Sequence, residues 1–324
     1  MRRQYVACTL RAMTGVDQRQ FRIGTCGYSY PGRPPQGWYG VFYPNAAGRR
    51  FAELEFYASY FDLVEINSTF YRPPTPAMAQ AWVANTAGDF KFAVKAWQKF
   101  THPTRLGAST AGRTRPWEPF DPGDVELFSR AITPLMEAGK LAALLFQFPA
   151  GFQCVAENLE RLERTLNAFA SFPKIVELRH RSWSDHGSQT IDLLNRRANG
   201  WVFIDEPKFP TSVRQELDVC GDLAYLRLHG RNHRNWWKHE QTWERYDYLY
   251  SRATMQRLAD KLKALAARSP NAQIFVLFNN HARGQAVANA LMLKAELDPG
   301  TPRRAPGSMI QSFAELSDFA ADDD

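Results

Sequence analysis

Short runs of apolar and β-branched residues alternate along the chain with longer stretches whose apolar positions recur every three or four residues. Eight runs read as strands: 21–25 (FRIGT), 62–67 (DLVEIN), 90–95 (FKFAVK), 142–147 (AALLFQ), 174–179 (KIVELR), 200–205 (GWVFID), 223–228 (LAYLRL) and 273–278 (QIFVLF). Helical periodicity falls at 51–60, 75–85, 123–138, 156–168, 185–197, 253–267 and 285–297. The link between the sixth and seventh strands is the least regular. Strand-like runs alternating with helical ones predict parallel βα units. Their number predicts the fold class: α/β, a single (β/α)₈ TIM-like barrel with long βα loops, over about residues 21–297. Residues 1–20 read as a flexible polar leader. Residues 298–324 read as a C-terminal tail with three prolines, three terminal aspartates and a short helix around 312–319.

Side chains alternate between the two faces of a strand. Val64 and Ile66 therefore oppose Glu65 and Asn67, and Phe92 and Val94 oppose Lys91 and Lys95. Val176 and Leu178 oppose Glu177 and Arg179, and Leu226 and Leu228 oppose Arg227 and His229. The apolar faces should meet the outer helices, which turns the polar faces into the barrel. Polar residues also gather at the C-terminal strand ends: Asn67, Lys95, Gln147, Arg179, Asp205, His229 and Asn280. That is the end of the barrel where active sites are built.

Composition narrows the class. Of 324 residues, 44% are hydrophobic and 23% charged, which is enough apolar surface to fold and excludes a mostly disordered chain. No uninterrupted apolar stretch reaches 18 residues, so a transmembrane helix is not expected. The leader is a poor signal peptide, and the four cysteines (Cys8, Cys26, Cys154, Cys220) form no CxxC pair. A reducing, cytoplasmic setting is the expectation. The net charge is +7, spread along the chain, which argues only weakly for nucleic acid.

The blocks IGTCGYSY, WYGVFYP, YFDLVEINSTFYRPP, FKFAVKAWQKFTH, LLFQFPAGF, VELRHRSW, YLRLHGRN, RYDYLYS and FNNHARGQAVANA run in order over about 21–297. In these the chain resembles the Domain of Unknown Function 72 family, also called YecE-like. The resemblance implies a TIM-like barrel and supplies no activity. Some members are similar in shape to the endonuclease IV and sugar-isomerase barrels, a fold-level likeness.

The inward polar set supports several readings. Glu65, Glu177 and Asp205 balance Lys95, Arg179 and Arg227, so a buried structural ion network would satisfy itself. As a site, the same residues suit hydrolysis of a phosphate ester, on a small anionic molecule or on nucleic acid. His229 or His102 would then be the general acid or base, and Glu65 or Glu177 would orient it or activate water. Asn67, Lys95, Gln147, Arg179, Asp205, Arg227 and Asn280 would bind substrate, with Tyr28, Tyr71 and Trp183 as stacking surfaces.

No cofactor is expected. A divalent metal would draw on His180, His229, His281, Glu65, Glu177 and Asp205, but there is no HExxH motif, and the adjoining arginines favour an anion over a cation. Glu65 and Glu177 alternatively suit a carbohydrate-active barrel, although flanking cations oppose a protonated acid. A non-catalytic module binding an anion or a protein uses the same residues. Cys26 reads as a buried thiol before a nucleophile.

Overall fold

The computed structural model describes residues 20–45, 51–103, 117, 119–197 and 200–322. Residues 1–19 of the expected leader lie outside the described residues. All eight expected strand runs form, and they pair in parallel: β1 (Phe21–Cys26), β2 (Leu63–Ile66), β3 (Lys91–Lys95), β4 (Leu141–Gln147), β5 (Lys174–Glu177), β8 (Leu223–Leu228) and β9 (Gln273–Phe278), with the sixth run split into β6 (Gly200–Trp201) and β7 (Phe203–Asp205). The sheet order is β6-β5-β4-β3-β2-β1-β9-β8-β7. Its two ends are separated in the chain by Val202 alone. The Val202 N–H donates to the Val176 carbonyl at 2.9 Å, and pairing to β8 resumes at Phe203. The chain thus closes the barrel at a single-residue seam.

Helices follow the strands: α1 (Glu53–Ala58), α2 (Pro76–Ala84), the one-turn α3 (Gln98–Thr101), α4 (Pro122–Glu137), α5 (Ala156–Ala168), the one-turn α6 (Ser182–Asp185), α7 (Gly187–Arg197), α8 (Arg252–Arg268) and α9 (Gln285–Leu297). Local chemistry sets several starts. Asp121 and Asp124 cap α4 reciprocally around Pro122 in the first turn. Thr75 accepts from the Met78 N–H and Ser251 from the Thr254 N–H to start α2 and α8. No helix forms between β7 and β8, the irregular link of the sequence.

Two apolar layers result. Val64, Ile66, Val94, Val176, Leu178, Leu226 and Leu228 pack outward in one core with helix residues such as Trp82, Phe128, Leu166, Leu193 and Leu262. Leu63, Ala93, Leu145, Ile175, Val202, Ile204, Tyr225 and Leu277 fill the barrel interior. Gly24 is required by close packing, because a Cβ there would lie 1.9 Å from the Leu63 carbonyl oxygen.

The tail is built onto this body. β10 (Arg303–Ala305) and β11 (Ala320–Asp322) pair in parallel; between them lie α10 (Gly307–Ser312), earlier than expected, and a one-turn 3-10 helix, Ala314–Leu316, inside the expected 312–319. Met309, Phe313 and Leu316 are buried in the outer core, and Ser308 donates to the Val41 carbonyl at 2.7 Å. Among the described residues, no helix is long and apolar enough to cross a membrane.

Candidate functional site

The interior plug ends in a layer of ions. Arg227, on β8, is 2% exposed, and all five of its N–H groups face acceptors. Nε donates to Glu65 Oε2 at 3.0 Å and Nη2 to Glu65 Oε1 at 2.7 Å. Nη1 donates to Glu177 Oε2 at 2.5 Å and to Gln147 Oε1 at 3.1 Å. Nη2 also points at the Cys26 sulfur, 3.8 Å away. Tyr225, two residues before Arg227 on the same face, donates to Glu65 Oε2 at 2.9 Å. Glu65 and Glu177 are fully buried and accept through both oxygens.

Above this layer the network opens. Arg179 Nε donates to Glu177 Oε1 at 2.6 Å, and its Nη1 stands 3.7 Å from Glu206. The Arg179 side chain keeps 16% of its surface exposed, against 2% for Arg227. Arg179 therefore retains donors for a ligand where Arg227 has none. Lys95 reaches the same region from β3. Its Nζ lies over the Phe70 ring, 4.1 Å from the centroid, and among the described residues no carboxylate comes within ion-pair distance of it. Asn67 follows Ile66, whose register partner Val94 precedes Lys95. Its Oδ1 is buried and accepts no hydrogen bond among the described residues.

The electrostatics follow from this placement. Burial would raise the Glu177 pKa, but Arg179 and Arg227 hold it well below the ordinary carboxylate range. Glu177 is therefore no proton donor near neutrality, which disfavours a glycosidase-type acid. Burial, then the Arg227 charge, pushes Lys95 down to about 7. Burial, then Arg227 and Arg179, pushes His229 well below its usual value, so its ring is neutral at pH 7. Arg179 Nη2 approaches His229 Nε2 at 3.4 Å. A guanidinium only donates, so Nε2 keeps its lone pair and the proton sits on Nδ1. Asn279 Nδ2 stands 2.8 Å from Nδ1, so Nδ1–H donates to this amide once it is turned to present Oδ1, an assignment made from the Arg179 contact. Gly230 turns the chain just after His229 at φ 87°, where a Cβ would meet Tyr248 at 2.8 Å.

The structure brings together Glu65, Gln147, Glu177, Arg179, Arg227 and His229, with Lys95 in their field. Four expected site residues stand elsewhere. Asp205 points out of the barrel, where it binds Arg231 through both oxygens and accepts from the Tyr250 hydroxyl. Its neighbour Glu206 takes the inward place beside Arg179. Asn280 also points outward and donates to Asn289 and to the Tyr248 carbonyl, while Asn279 faces His229. Trp183 is fully buried, stacked on Phe152 and donating to the Phe152 carbonyl, so it is core. Tyr28 lines a cavity of about 310 Å³ with Glu53 and Trp82, away from the ion layer.

His102 meets the edge of the Phe70 ring, over which Lys95 lies. Tyr71 is 66% exposed beside Phe70. Burial, then Glu65, pushes the Cys26 thiol up, which fits the expected inert thiol. Glu206, Asn279 and Tyr225 are the members that sequence reasoning missed. Tyr246 is another: its ring lies 6.4 Å from His229 and 5.0 Å from His281. Among the described residues, no three His, Cys, Asp or Glu side chains are grouped to hold a metal ion.

Comparison with known proteins is consistent with this architecture. A family model described as "Protein of unknown function DUF72" matches residues 22–309. The UPF0759 protein YunF of Bacillus subtilis (strain 168) is 32% identical over 270 residues, covering 80% of this chain and 90% of that protein. The crystal structure of a DUF72 family protein from Thermotoga maritima MSB8 superposes with a TM-score of 0.69 at 33% identity, covering 86% of this chain and 99% of that one. Another, from Enterococcus faecalis V583, gives a TM-score of 0.69 at 26% identity, covering 86% and 95%.

Proposed function

Because the chain belongs to the DUF72 family, whose description carries no activity, we propose a function from the site itself: the barrel mouth binds a phosphate ester and hydrolyses it. One observation carries this reading. Beside a layer where Arg227, Glu65 and Glu177 are paired, among the described residues the Lys95 ammonium has no carboxylate within ion-pair distance and the buried Asn67 oxygen has no donor. A cation held without a counter-ion, beside an arginine with donors to spare, suits a ligand that brings its own negative charge.

In this reading Arg179 and Lys95 hold the phosphoryl oxygens and stabilise the charge that develops on them. Asn67 accepts from a hydroxyl of the substrate. Water attacks phosphorus as the ester oxygen departs, and its proton passes to the lone pair of His229 Nε2. Arg227 binds no substrate; it fixes Glu65 and Glu177 beneath the reacting groups. The earlier expectation of Arg227 as an anion ligand gives way because its donors are all committed.

The test is a binding and turnover screen with inorganic phosphate, 4-nitrophenyl phosphate and its bis-ester. Phosphate should raise the melting temperature of the wild type. Lys95→Met or Arg179→Gln should weaken binding by roughly ten- to a hundredfold, the worth of a hydrogen bond to a charged group, about 1.5–3 kcal/mol. His229→Gln should bind and fail to turn over. No stabilisation by any of the three probes at millimolar concentration overturns the reading.

A further inference from the structure

A second concave surface lies outside the barrel wall and is independent of the mouth. Each of the other barrel strands is followed by a helix before the next strand, but residues 206–222 contain none. The outward face of β7 therefore has no helix of its own, while Leu226 and Leu228 of β8 are buried in the outer core with α8. What remains is a groove of about 570 Å³ between those strands, α8 and the extended segment around Leu217. Its volume is in the range of small-molecule sites, about 300–1,000 Å³.

The groove is apolar within and basic at its lip. Phe203, Leu217 and Leu258 are half-buried along it. The lining residues of α8 run from Thr254 to Arg268, roughly 20 Å of helix at about 1.5 Å per residue. Arg257 and Lys261 lie one turn apart on the rim, both exposed. Among the described residues, neither has a carboxylate within ion-pair distance; Arg257 donates only to the Thr254 hydroxyl. The other cations are occupied, Arg268 by Asp218 and Arg231 by Asp205. Of the acidic residues on the walls, Asp205 is taken by Arg231 and Glu216 is exposed.

We propose that this groove binds a long-chain carboxylate as a monomer, with the chain along Phe203, Leu217 and Leu258 and the carboxylate on Arg257 and Lys261. The argument is charge complementarity joined to shape. A long slot with an apolar wall needs an apolar body, and two unpaired cations at one lip need one anionic head. A neutral chain would leave those cations unmatched, and a short anion would leave the apolar wall wet.

The experiment is calorimetric titration of the full chain with dodecanoate below its micellar concentration, with dodecanol, and with anionic phospholipid vesicles. Dodecanoate should bind with one site per chain, and dodecanol at least tenfold more weakly. Arg257→Glu with Lys261→Glu should lower dodecanoate affinity at least tenfold. Ala264→Trp, an exposed helix position that lines the groove, should do the same by filling it. Unchanged melting temperatures in both variants show that the fold is intact. No dodecanoate binding to the wild type, equal binding to Ala264→Trp, or association with vesicles alone would each overturn the proposal.

Discussion

Arg227 and Glu65 meet as a two-pronged ion pair across the barrel interior, at 3.0 and 2.7 Å, from strands separated in the sheet by β1 and β9. Such a fork fixes both side chains in orientation as well as distance. The remaining Arg227 donors tie in Glu177, Gln147 and Cys26, so one guanidinium joins four side chains, one each from β1, β2, β4 and β5. Neither carboxylate can return to water if the cation is removed.

Arg227→Ala should therefore act on stability first. It leaves the buried Glu65 carboxylate with only the Tyr225 hydroxyl and takes from Glu177 one of its two arginines, and breaking a buried pair costs roughly 3–5 kcal/mol. The expected result is a large drop in melting temperature without added ligand. A variant that melts within a degree or two of the wild type would mean the layer is hydrated and tolerant.

Lys95 should behave in the opposite way. Its folded-state pKa, about 7, lies below the ordinary lysine value near 10.4, so the native protein gives up this proton first. The penalty on the charged form is complete below pH 7, and stability rises with pH between about 7 and 10. Lys95→Met should raise stability at pH 6 by about 1 kcal/mol or more while losing phosphate binding, the pattern of a residue kept for function. Melts from pH 6 to 9 should show a shallower slope in the variant than in the wild type.

The histidines set the acid limb. His229 lies well below its usual pKa, and His281, half-buried between Tyr30 and Tyr246, is pushed down to about 4 by desolvation. Both are depressed on folding, so below about pH 6.5 the unfolded chain takes up protons that the native chain refuses. Stability should fall as the pH drops from 6.5 towards 4, with a limiting slope of about 1.4 kcal/mol per pH unit for each histidine. His281→Phe should flatten that limb in a denaturant titration series. An unchanged slope would place the ring in contact with water.

Asp205 and Asn280 offer a control set. Each makes hydrogen bonds outside the barrel: Asp205 an exposed pair with Arg231 and a half-buried one with Tyr250, Asn280 buried or half-buried ones with Asn289 and the Tyr248 carbonyl. Asp205→Ala or Asn280→Ala should cost about 1–3 kcal/mol of stability. Phosphate affinity should stay at the wild-type value, in contrast to Arg179→Gln.

These two residues also show how far the sequence could be read. In β2, β5 and β8 one face is apolar and the other polar, so alternation located Glu65, Glu177, Arg227 and His229 on the inward side. The same step in β8 also points to Tyr225. In β7 and β9 both faces are apolar: Ile204 faces in while Phe203 faces out, and Leu277 faces in while Phe278 faces out. Nothing in such a pattern says which terminal residue continues the inward face, and a one-residue slip exchanges the faces. Asp205 and Asn280 were thus read in place of Glu206 and Asn279. Tyr246 comes from a long loop, where no period exists to place it. The strands themselves were legible because uninterrupted apolar runs bounded by polar residues are what a sheet covered on both faces requires.

The seam at Val202 gives the barrel a direction of failure. A ring with eight uniformly paired strands has no weakest joint, but here five paired residues in two pieces hold β5 to β8. When the native chain opens transiently, the gap should start between Trp201 and Phe203, and deuterium should enter there before it reaches β8 or β9. The barrel is thus a wrapped ribbon whose two hems are stitched by one short piece of chain. Its ion layer, pinned from four strands by Arg227, lies across the opening that the stitch would leave.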